Sequence, residues 1–64
     1  MTIGERIKDY TAARGIKQAF LAEKAGCDNS KMSKILNGNQ EIGAVELFLI
    51  CKALDVPMET FCED

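Results

Sequence analysis

Residues 18–38 run Gln18-Ala19-Phe20-Leu21-Ala22-Glu23-Lys24-Ala25-Gly26-Cys27-Asp28-Asn29-Ser30-Lys31-Met32-Ser33-Lys34-Ile35-Leu36-Asn37-Gly38. From Gln18 to Ala25, Leu21, Ala22 and Ala25 recur at helical spacing and give one buried side. Two small residues on that side let another helix approach closely. Gly26 suits a left-handed helix stop. Asp28 is a good N-cap for a second helix running to about Leu36. That helix splits into an apolar face (Met32, Ile35, Leu36) and a polar one (Asn29, Ser30, Lys31, Ser33, Lys34, Asn37). Asn37-Gly38-Asn39 is a strong stop.

The flanking sequence is helical as well. Helix 1 is expected from about Ile3 to Arg14, with a Thr2-x-x-Glu5 capping box, an Ile3, Ile7, Tyr10 stripe and Gly15 as its stop. Helices 2 and 3 are the pair above. Helix 4 should run from about Ala44 to Leu54. It is apolar on most sides, so it is either central or also faces a partner. Helix 5 is expected over about Met58 to Cys62, with Pro57 suited to its start, and Val56 and Phe61 can close the core. No alternating run suggests a strand. The predicted fold is therefore all-α, a compact five-helix bundle, with a helix-turn-helix formed by helices 2 and 3.

Composition sets limits on this picture. Sixty-four residues fit one small domain, residues 1–64. Hydrophobic content of 47% with 28% charged residues is that of a globular chain rather than a disordered one. No apolar run approaches a membrane span of about 18 residues. The first residues lack a signal-peptide pattern, and the expected location is cytoplasmic. Cys27, Cys51 and Cys62 are odd in number and widely spaced, and the chain has no His. This excludes the common zinc frameworks, a disulfide scaffold, and Ser-His or Cys-His catalysis. No metal and no cofactor are expected. Glu41 and Glu46, the carboxylates near a loop-to-helix junction, have no accompanying phosphate loop or activated nucleophile, so the chain reads as no enzyme.

The net charge of −2 hides a strong asymmetry. Residues 1–38 carry seven bases against four acids, and residues 39–64 carry one base against six acids. Local charge decides what such a chain can bind. The basic part contains the helix-turn-helix, whose second helix projects a polar face free of acid. A major groove admits one α-helix, and amide, hydroxyl and ammonium side chains can read base edges there.

The segments Gln18–Gly26 and Met32–Gly38 resemble the phage-repressor and Cro type of helix-turn-helix, the XRE family. Residues 52–61, from Lys52-Ala53-Leu54 to Thr60-Phe61, resemble that family's closing segment. The resemblance covers about residues 3–61. It implies a regulator that binds double-stranded DNA, with a repressor acting by promoter occupancy as the leading expectation. It further implies base contacts from Asn29, Ser30 and Lys34, with Lys31 and Ser33 flanking them against bases or phosphates. Gln18 and Asn37 would contact phosphate, and Lys17 would add charge there. Many family members pair an Arg in helix 1 with a Glu at the end of helix 3. Thr11 and Leu36 stand at those positions, a coupled loss of both charges that can be neutral or stabilising.

Each of these residues also has a plainer structural reading. Gln18 suits an exposed first turn, Asn29 and Ser30 suit a helix start, Lys31 and Lys34 suit a solvated face, and Asn37 suits a helix end. Val45 and Leu49 stand where the family usually shows charge, and they share one face of helix 4. They read either as extra packing or as a homodimer patch. A second function class uses the same scaffold as a protein-interaction module, an antirepressor or antitoxin-like partner.

Overall fold

The computed structural model describes residues 1–62. Glu63 and Asp64, two of the acids counted above and the end of the expected 1–64 domain, lie outside the described residues. The helices are α1 (Ile3–Ala13), α2 (Gln18–Ala25), α3 (Asn29–Leu36) and α4 (Ala44–Leu54), followed by a single 3₁₀ turn at Met58–Thr60. Among the described residues there is no strand. Among the described residues no helix is long and apolar enough to cross a membrane.

Local chemistry sets these boundaries. The Thr2 hydroxyl accepts from the Glu5 N–H at 3.1 Å, and the Glu5 carboxylate accepts from the Thr2 N–H at 2.8 Å. This is a complete capping box. Gly26 adopts φ 76°, and the N–H groups of Gly26 and Cys27 close onto the carbonyls of Glu23 and Ala22. A side chain at Gly26 would be strained in that left-handed conformation. The Asp28 carboxylate caps α3 by accepting from the Lys31 N–H at 2.7 Å. Lys17 precedes α2 with no side-chain cap.

The expected fifth helix is corrected to one 3₁₀ turn, so the bundle has four helices. The reason is space. Asp55 ends α4 in a left-handed conformation, φ 59°, and Pro57 is extended. Three residues then remain before Phe61 must enter the core, where it is 1% exposed. Its N–H bonds the carbonyl three residues back, at Met58, and its ring meets Tyr10 edge-on at 5.3 Å. Helix α1 ends at Ala13, one residue before the expected Arg14, which is its C-cap.

The core joins all four helices. Ile7, Leu21, Met32, Ile35 and Ile50 are fully buried, and Leu36, Leu47, Cys51 and Phe61 are nearly so. α2 packs on both α3 and α4, while α1 packs on α3. Gly4 sits where α1 crosses α3, and a Cβ there would overlap the Ile35 carbonyl oxygen. An Ala in a helix interior is ordinarily favoured over Gly by about 0.5–1 kcal/mol. Here the steric cost reverses the sign. Gly4→Ala should destabilise the fold by about 1–3 kcal/mol, read from the urea midpoint. A stabilised variant would show that the two helices are not in contact at this crossing.

Candidate nucleic-acid interface

α3 is eight residues long, and its buried residues are Met32, Ile35 and Leu36. Everything else on it must face solvent or a helix edge. Ser30, Lys34 and Asn37 follow i, i+4, i+7 spacing and form the stripe opposite the buried face. All three are exposed, as is Asn29, while Ser33 is half-buried beside them. The structure therefore brings Asn29, Ser30, Ser33, Lys34 and Asn37 onto one surface. Lys17 and Gln18 are exposed at the start of α2. The Gln18 Nε2 donates to the Asn29 carbonyl at 3.1 Å, so the beginnings of α2 and α3 are tied together.

Lys31 is placed differently from its neighbours. Its ammonium pairs with the Glu46 carboxylate of α4 at 2.8 Å, with the Lys31 side chain 41% exposed and that of Glu46 15%. The other carboxylate oxygen of Glu46 accepts from the Gly43 N–H at 2.8 Å, capping α4. Lys31 thus stands on the edge of α3 that meets α4, apart from the outward stripe. No local spacing signals this pair, which joins residues 15 positions apart from opposite halves of the charge asymmetry.

A second link joins α1 to the end of α3. The Lys8 Nζ donates to the Asn37 Oδ1 at 2.8 Å, and the Asn37 Nδ2 donates to the Ser33 Oγ at 3.4 Å. Lys8 and Asn37 are 29 positions apart and no local spacing connects them, so the sequence alone does not bring them together. Thr11 and Leu36, the coupled departure noted above, line one shallow depression beside this link. Thr11 is buried, and its hydroxyl donates to the Ile7 carbonyl at 2.9 Å. No charge is stranded there.

On α4, Val45 is 70% exposed, Phe48 is 50% exposed and Leu49 is half-buried. The apolar face therefore includes Phe48 as well as the two positions singled out from the sequence. Cys27 is half-buried, Cys51 buried and Cys62 exposed. Burial pushes the thiols of Cys27 and Cys51 up, which disfavours the reactive thiolate. No group of three or more metal-binding side chains is present among the described residues.

These features define a helix-turn-helix whose second helix is presented outward. The profile of the family described as the Cro/C1-type HTH DNA-binding domain matches residues 6–64. The chain belongs to that family. It is 32% identical over 62 residues to an uncharacterized transcriptional regulator in the ATPase CF(0) region of Rhodospirillum rubrum, covering 97% of this chain and 57% of that protein. The chain thus spans little more than half of that relative. It is similar to the restriction-modification controller protein C.AhdI from Aeromonas hydrophila, with a TM-score of 0.80, 25% identity and coverage of 92% and 89% of the two chains. It is also similar to a chain of the SinR protein/SinI protein complex, with a TM-score of 0.82, 34% identity and coverage of 98% and 62%.

The Lys31–Glu46 pair carries a pH dependence. The Lys31 ammonium, followed by the Gly43 N–H, holds the Glu46 carboxyl below the usual carboxylate value. A group lowered in the folded state contributes stability above its unfolded pKa, and that stability is lost as pH falls through the lowered one. Glu46→Gln should therefore lower the urea midpoint at about pH 7 and lower it by less at about pH 3, where the native carboxyl is losing its charge. An equal loss at both values would show that the carboxylate charge contributes nothing.

Proposed function

We propose that this chain is a sequence-specific regulator of transcription that binds double-stranded DNA with α3 in the major groove. It acts as a repressor by occupying a promoter. The observation that carries this reading is the outward stripe of α3: amide, hydroxyl and ammonium groups on one acid-free surface, held at a fixed height by a buried opposite face. Asn29, Ser30, Ser33 and Lys34 are the candidate base readers, with Lys31 flanking them at the α4 edge. Lys17, Gln18 and Asn37 are the candidate phosphate contacts. The basic part of the chain faces DNA and the acidic part faces away.

The working unit is a homodimer. One chain carries a single α3 and its Cα atoms span 28 Å, whereas successive half-sites on one face of DNA lie about 34–36 Å apart. One copy cannot place α3 in both. The exposed Val45 and Phe48 with Leu49 offer an apolar surface for the second copy. The protein-interaction reading rests on the same face, and the similar chain solved in the SinR protein/SinI protein complex supports keeping it as the alternative.

Selection from a random duplex library at low and moderate salt tests the DNA reading. The expected result is a two-fold-symmetric motif that weakens with salt and is lost with Lys34→Glu. No motif and no salt-dependent retention would transfer the function to a protein partner. For the dimer, Val45→Glu with Leu49→Glu should lower the solution mass to that of one chain and abolish cooperative DNA binding. Unchanged mass and cooperativity would place the dimer contact elsewhere.

A further inference from the structure

The geometry around Asn37 points to a DNA contact on α1. We propose that Lys8 is a further phosphate-backbone contact, forming one clamp with Asn37 and Ser33 at the C-terminal end of α3. This rests on the DNA-binding reading above and adds a residue that neither the sequence pattern nor the helix-turn-helix itself supplies.

Three observations carry it. First, Asn37 lies on the outward stripe of α3, so the atom bonded to its Oδ1 lies at the same surface. That atom is the Lys8 Nζ, 2.8 Å away. Second, the Asn37 amide is oriented from both ends, its oxygen toward Lys8 and its nitrogen toward Ser33 Oγ. A side-chain amide held this way carries less rotational freedom into a complex. Third, an ammonium has three donors, and Asn37 takes one. Lys8 is exposed, so its other donors can reach a phosphate oxygen. The Glu5 carboxylate accepts from the Thr2 N–H at 2.8 Å and is also held low in part by the Lys8 ammonium, so Lys8 offsets an acid at this end of α3 as well. On the other side of α3 the Lys31 charge is engaged by Glu46, so a cation delivered from α1 supplies backbone attraction that α3 itself does not.

A phosphate contact and a structural contact differ in their salt dependence. Each phosphate neutralised contributes about 0.9 to the slope of log K against log salt on duplex DNA. The test measures that slope for the wild type, Lys8→Gln, Lys8→Arg and Lys34→Glu on a selected duplex and on a random-sequence duplex. Lys8→Gln should lower the slope by about two for the bound dimer, one per chain, and weaken both duplexes by the same factor. Lys8→Arg should restore the slope, and thermal unfolding should show both Lys8 variants fully folded at the temperature of the binding assay. A wild-type slope in Lys8→Gln, with salt-dependent binding intact in the wild type, overturns the Lys8 assignment alone. Binding without salt dependence in the wild type overturns the DNA reading itself.

Discussion

An eight-residue helix has almost no stability of its own in water, where isolated helices shorter than about 12–15 residues are marginal. α3 therefore exists only because Met32, Ile35 and Leu36 are buried. That dependence explains much of the remaining structure. The core has to grip the helix along its whole length, and four separate contacts do so. Gly4 of α1 meets the Ile35 carbonyl, Gln18 of α2 meets the Asn29 carbonyl, Glu46 of α4 meets Lys31, and Lys8 of α1 meets Asn37. A short helix gripped on its inner face and both edges presents its remaining face with little freedom. Preorganised polar side chains of this kind bind with a smaller entropic cost.

The same contacts reconcile the charge pattern with nucleic-acid recognition. A net charge of −2 argues poorly for binding a polyanion, but the acids cluster in the second part of the chain. Glu46 is the point where the two parts meet. Its carboxylate neutralises Lys31 and caps α4, so one acid links α3 to the helix that carries the apolar face. The exposed Val45 and Phe48 lie one residue before and two residues after Glu46 on α4.

Most of the fold was legible because its signals are local. The Thr2–Glu5 box, the Gly26 turn, the Asp28 cap and the Asn37-Gly38 stop each act within a few residues, and they set the start of α1, the end of α2 and both ends of α3. The reading of the last segment failed for a nonlocal reason. Pro57 and the Met58–Cys62 stretch look helical, yet the burial of Phe61 against Tyr10 of α1 forces a tighter turn. The need for a glycine at position 4 likewise arises only where α1 crosses α3. The site divides in the same way. Helical periodicity places Ser30, Lys34 and Asn37 on one stripe. It cannot reveal that Lys31 is taken by Glu46 or that Lys8 reaches Asn37, because those pairings exist only after the helices dock.

The central claim is that the outward face of α3, rather than the apolar face of α4, meets DNA. Amide chemical-shift mapping of the protein titrated with duplex DNA tests it residue by residue. Saturable shifts are expected at Lys8, Lys17, Gln18 and residues 29–37, with Lys52 to Asp55 at the far end of α4 unchanged. Shifts confined to residues 45–49, or none at any DNA concentration, would contradict it.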